Sequence, residues 1–252
     1  MSGTFTPAPK RAARRTILAR QIRMELLLTA RRGEAVVLAM GVPLLVLLGA
    51  GLTHATNLPT GDRLGYVVPG VLALTVLSTA FTGQAISTGY ERSYGVLKRL
   101  GASPLTRTGL LAAKTAAVCC LIAVQLAVLA GVGVAVGWRP QAGQLLPAIG
   151  VTALATAAYC GLALLMAGLL RPETTTAAAT LIYVLMLAAG GIMFAAPDLG
   201  PAGYLLVPLA AHAEALRDTL TAGQPVPGGA WAGLAIWAVV SVTAAARSFR
   251  WE

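Results

Sequence analysis

Tyr90 to Lys114 reads YERSYGVLKRLGASPLTRTGLLAAK, the longest polar interruption between two strongly apolar blocks. The chain on either side is hydrocarbon-compatible, so exchange with a soluble partner has to pass through this segment. From Glu91 to Leu100 the apolar positions Tyr94, Leu97 and Leu100 recur every three residues, while Arg92, Lys98 and Arg99 stand six or seven apart. That spacing predicts a short two-faced helix. Gly101 is a natural stop for it. Ser103 followed by Pro104 reads as the N-cap and first position of the next helix, because proline lacks the amide hydrogen that an opening turn does not use. Arg107 and Lys114 fall on the first turns of that helix, with stems long enough to reach back to lipid headgroups. The expectation is an apolar hairpin whose tip is a basic, helical elbow.

Outward from the elbow, composition sets the class. Of 252 residues 57% are apolar and 11% charged, against about 45–50% and about 25% in a soluble domain. The fold class is therefore an all-α integral membrane protein. Six spans are expected, at about 35–53, 67–88, 110–136, 145–170, 177–196 and 230–246, each near the ~20 residues that cross a bilayer core. They make residues 33–252 one six-span domain. Residues 1–9 have the small, polar, proline-containing composition of a disordered tail. Lys10 to Arg32 holds eight basic residues, with Leu18, Ile22 and Leu26 four apart, and reads as an amphipathic helix lying along the membrane surface. Residues 197–229 carry five prolines around an apolar half-helix, expected as a short re-entrant or interfacial helix before the last span.

The formal net charge of +10 would suggest nucleic acid in a soluble protein, but here the charges cluster at the ends of apolar runs. Sixteen Lys and Arg fall on the side of the termini and the elbow, against three (Arg63, Arg139 and Arg217) on the other. The positive-inside rule then puts both termini and the elbow in the cytoplasm, in a multi-pass protein of the plasma (inner) membrane.

The chemistry that is absent narrows the function. No Asp, Glu or His falls in the middle of a span, which speaks against a proton- or sodium-coupled pump and a voltage sensor. No Gly-x-x-x-x-Gly-Lys-Ser/Thr phosphate loop occurs. His54 and His212 have no matched nucleophile or ligand set, and Cys119, Cys120 and Cys160 lie in apolar runs as small buried hydrophobes. No metal site is expected. The mild polar residues Thr75, Ser78, Thr82, Gln84 and Gln125 are the candidates for lining a pathway, although a Ser or Thr in a span more often bonds its own backbone.

At the elbow the chain resembles the type-2 ATP-binding-cassette permeases, the membrane subunits of drug, antibiotic and polysaccharide exporters. After its second span that family carries an acidic-basic-acidic opening, Gly-Thr-Leu, and a later Thr-Pro turn. Here stand Glu91, Arg92 and Ser93, then Gly95, Val96 and Leu97, then Ser103 and Pro104, with Ser93 in place of the second acid and Val96 in place of the threonine. Val68, Pro69 and Gly70, and Pro208 and Leu209 followed by Glu214 to Arg217, are also similar to family patterns.

The resemblance implies a coupling helix, Glu91 to Leu100, that docks on a separate ATPase subunit through Glu91, Arg92, Tyr94, Gly95, Leu97, Lys98 and Arg99. It implies that residues 10–32 are the connecting helix, with Arg20, Arg23, Met24 and Leu28 at its working face. It further implies a second permease copy or paralogue, contact with membrane lipids, no cofactor in this chain and no enzymatic site of its own, with ATP and Mg on the partner ATPase. The expected activity is ATP-driven export of a hydrophobic or amphiphilic small molecule, such as a drug, antibiotic or lipid-linked compound. A stand-alone secondary carrier or channel, or a non-transporting membrane assembly protein, are the alternatives.

Overall fold

The computed structural model describes residues 13–31, 33–52, 62–102, 105–192 and 200–248. All regular structure among them is helical. The expected tail, 1–9, lies outside these residues, as do Ser103 and Pro104.

At the centre is a rod, Arg63–Ser93, 31 residues long and largely buried. It consists of α3 (Arg63–Leu77), a π turn (Ser78–Gly83) and α4 (Gln84–Ser93). Asp62 starts it, its carboxylate accepting a hydrogen bond from the Gly65 amide at 2.9 Å. The rod overruns the expected second span, 67–88, at both ends. Pro69 is built into its first half and leaves the Gly65 carbonyl, four residues back, without a helical donor. Thr221 fills that gap, its hydroxyl donating to Gly65 O at 2.7 Å.

Around the rod stand α2 (Gly33–Leu52), α6 (Arg107–Ala135), α7 (Leu145–Leu169), α8 (Pro172–Ala189) and α11 (Gly228–Ser248). Among the described residues five helical stretches, the rod, α6, α7 with the short turn before it, α8 and α11, are long and apolar enough to cross a membrane. In α2, where the first span was expected at 35–53, Met40–Gly51 is an apolar stretch among the described residues. α8 begins five residues before the expected 177, with Pro172 in its first turn, where a missing amide costs nothing. α7 and α11 pack tightly: a Cβ on Gly161 would sit 2.3 Å from the Ser241 hydroxyl, which donates to Ala158 O at 3.0 Å.

Of the remaining described helices, three flank this bundle. α1 (Arg14–Arg31) packs on α6 and α2. The segment expected to hold one short helix before the last span contains two, α9 (Gly200–Leu206) and α10 (Pro208–Leu220). α10 is mostly buried against α3, α7 and α11. One apolar cluster runs through the whole bundle, with Leu47, Val67, Leu74, Phe81, Leu129 and Tyr159 among its fully or almost fully buried members.

Candidate functional site

The rod ends at the elbow because of one glycine. α4 stops at Ser93, the Tyr94 amide bonds Tyr90 O at 3.0 Å, and Gly95 takes φ +70°. A side chain costs about 1–2 kcal/mol in that left-handed region. After the turn α5 (Val96–Gly101) begins. The expected single helix from Glu91 to Leu100 is thus two helices meeting at Gly95, and Glu91 and Arg92 belong to the rod. The next helix begins at Arg107, capped by Thr106, whose hydroxyl accepts from the Gly109 amide at 3.1 Å, rather than at the expected Ser103.

α5 is seated by Leu97, with Leu100 half-buried beside it. Leu97 is fully buried in a small second cluster with Leu110 of α6, Leu164 of α7 and Ala245 of α11. Its opposite side is free: Lys98 and Arg99 are exposed, and Tyr94 is 71% exposed. The Tyr94 ring stacks on Tyr90, centroids 6.0 Å apart.

Glu91 and Arg92 turn inward. Lys114 on α6, expected to reach headgroups, is 4% exposed and lies 2.6 Å from Glu91 and 3.1 Å from Glu25 of α1. One ammonium therefore ties three elements together. Two carboxylates against one ammonium leave the junction with a formal charge of −1. Beside it is a small cavity of about 50 Å3, bordered by Gln84, Thr88 and Leu28 as well as the three charged residues. Arg92 donates to Gly168 O and, at 2.7 Å, to Leu170 O, covering carbonyls at the end of α7 that have no helical donor.

The other candidates fall in two groups. On α1, Arg20, Arg23 and Met24 are exposed while Leu28 is half-buried toward the small cavity. Of the five mild polar residues, Thr75 is fully buried and donates to its own Val71 O at 2.8 Å. Gln125 accepts from Thr79 at 2.8 Å, and Gln84 from the Cys160 thiol at 3.6 Å. Ser78 and Thr82 are half-buried in the π turn. None of the five borders the larger groove, of about 660 Å3, which is walled by Tyr90 and one side of α8.

At the far end of the rod two sequence patterns 147 residues apart meet. Arg217 of α10 donates to Gly191 O at 2.7 Å and to Tyr66 O at 3.2 Å. Its guanidinium lies 3.8 Å over the Tyr66 ring. Gly70 makes room for it, since a Cβ there would be 3.0 Å from Arg217 Nη2. Burial pulls the Arg217 guanidinium below its usual value, while Tyr66, Glu214 and Asp218 push it back up. Burial and then Glu214 raise the Asp218 carboxyl above its ordinary range, with Arg217 working against them. His212, also on α10, is fully buried with Nε2 3.3 Å from the Thr152 hydroxyl.

The sequence reading missed Glu25 and the inward turn of Lys114. The available signal was charge: Glu25 is the one acid among the basic residues from Lys10 to Arg32. The described residues contain no His, Cys, Asp or Glu group suited to holding a metal ion. A family model described as ABC-2 type transporter matches residues 11–221 of the chain. No curated protein matches it.

Proposed function

The chain belongs to the ABC-2 type transporter family, and from that premise we propose that it is the membrane-spanning permease subunit of an ATP-driven exporter. It works as a dimer, with a second copy or a paralogue, on separate cytoplasmic ATPase subunits that hold ATP and Mg. α2 is the first of six crossings; its 20 residues give about 30 Å, the thickness of a bilayer core. The excess of Lys and Arg on the elbow side puts that side in the cytoplasm. The substrate is hydrophobic or amphiphilic, in keeping with spans that carry few ionisable groups.

The observation that carries the reading is the construction of the elbow. The elbow offers Tyr94, and α5 offers Lys98 and Arg99, outward, while on the other side of α5 Leu97 is seated among the ends of α6, α7 and α11. A partner that moves α5 therefore moves three spans at once, as rigid levers. The Glu25–Lys114–Glu91 junction passes the same displacement to α1. Glu91 and Arg92 act in this scheme as joints, and the contact with the ATPase falls to Tyr94, Lys98 and Arg99.

Reversing Lys98 and Arg99 to glutamate tests it. The double variant should insert and fold as the parent does, yet lose the copurifying nucleotide-binding subunit in mild detergent and the substrate-stimulated ATP hydrolysis. Undiminished copurification and coupled turnover in that variant would count against the elbow.

A further inference from the structure

Along one side of α8, Glu173, Thr176, Thr180, Leu181 and Val184 follow at helical spacing and, with Tyr90 of α4, wall the groove of about 660 Å3. The wall changes character along its length. At the elbow end are the exposed Glu173 carboxylate and the Tyr90 ring, backed by Tyr94. About 12 and 16 Å further along the axis, Leu181 and Val184 are 60% and 51% exposed. Glu173 forms no ion pair among the described residues.

We propose that this groove receives cationic amphiphiles from the cytoplasmic leaflet, the cation against Glu173 and the face of Tyr90, the hydrophobic body against Leu181 and Val184. The proposal rests on the export reading, which gives the groove its cytoplasmic mouth. A carboxylate beside an aromatic face attracts a cation twice over, by charge and by the ring quadrupole. An anion of the same shape meets the repulsion of Glu173. The volume is that of sites for drug-sized molecules, about 300–1,000 Å3. A phospholipid seated there would set its phosphate against the carboxylate, so lipid tails fit the wall better than lipid heads do.

The test uses the full chain in phosphatidylcholine nanodiscs without an ATPase, titrated calorimetrically with tetraphenylphosphonium and with tetraphenylborate, two ions of one shape and opposite charge. Tetraphenylphosphonium should bind saturably and tetraphenylborate should only partition into lipid. Glu173→Gln should weaken the cation by about fivefold, the size of one partly solvated ion pair, and Glu173→Asp should restore most of it. Val184→Trp, which fills the apolar end, should abolish saturable binding, with the unchanged elution profile of each variant showing that it folds.

Equal affinity of parent and Glu173→Gln for the cation, or saturable binding of both ions alike, would overturn the proposal. So would quantitative disulfide cross-linking of two copies through Thr180→Cys, which would assign the groove to self-association. Loss of charge selectivity alongside a retained nucleotide-binding companion would remove the groove and leave the exporter. Retained selectivity with no such companion would do the reverse.

Discussion

Replacing Lys114 with methionine should be the most damaging single change in the elbow half of the protein. The ammonium lies 2.6 Å from Glu91 and 3.1 Å from Glu25, with side chains 4% exposed for the lysine and 12% for each acid. Methionine keeps much of the length and removes the charge, leaving two carboxylates facing a shared, half-dry space. Stripping one partner from a buried pair costs about 3–5 kcal/mol. Because two acids lose the same cation, the upper part of that range applies. At about 2–4 °C per kcal/mol for a chain of this size, the midpoint of heat-induced loss of the monodisperse detergent peak should fall by about 10 °C. The triple variant Lys114→Met with Glu25→Gln and Glu91→Gln has no stranded charge and should recover most of the loss. A methionine variant within about 2 °C of the parent, or a triple variant no more stable than the single one, would refute the reasoning.

Four further outcomes can be measured. Gly95→Ala should cost about 1–2 kcal/mol through the left-handed backbone alone, since a Cβ there meets nothing within 4 Å; faster proteolysis at the elbow reads it out. Thr221→Val should cost about 1–3 kcal/mol by leaving the Gly65 carbonyl unbonded beside Pro69, with Thr221→Ser close to the parent in thermal midpoint. Gly70→Val should press on the Arg217 guanidinium, 3.0 Å from even the first added carbon, and cost about 1–3 kcal/mol, seen as a lower melting midpoint. For Asp218 the folded carboxyl holds its proton to higher pH than the unfolded one. The native state is then the more protonated between the two values, and this group's contribution falls as pH rises from the unfolded value through the raised folded one; Asp218→Asn should flatten that part of a stability–pH curve.

Much of the bundle was legible because hydropathy is a local property. α6, α7 and α11 lie within a few residues of the expected stretches, and α5 ends at Gly101 as anticipated. The elbow was legible in place but not in form. A three-residue repeat of apolar side chains fits a helix through Gly95 as well as one broken there, and only the glycine itself, a common occupant of the left-handed position past a helix end, marks the break. Which way a charge faces was not legible at all. Lys114 near the end of an apolar run has the pattern of a lysine reaching for headgroups, and its acids come from positions 89 and 23 residues away. The contact between Gly70 and Arg217 is of the same kind: each residue sits in an unremarkable pattern until the fold brings them together. Thr75, Gln84 and Gln125 stand out in the sequence as polar residues in apolar helices, but the partners of their hydrogen bonds, Val71, Cys160 and Thr79, were not legible there.

The π turn at Ser78–Gly83 sets the azimuth of everything that follows it. Such a turn amounts to one surplus residue wound into the helix, worth about 100° of rotation. Removing a single residue there would bring the chain back into ordinary winding and swing Glu91 away from Lys114 and Arg92 off the end of α7. Alignment at the two ends of the rod thus depends on an integer count in its middle, so rewinding that one turn is a way to twist one end against the other without bending the helix between them.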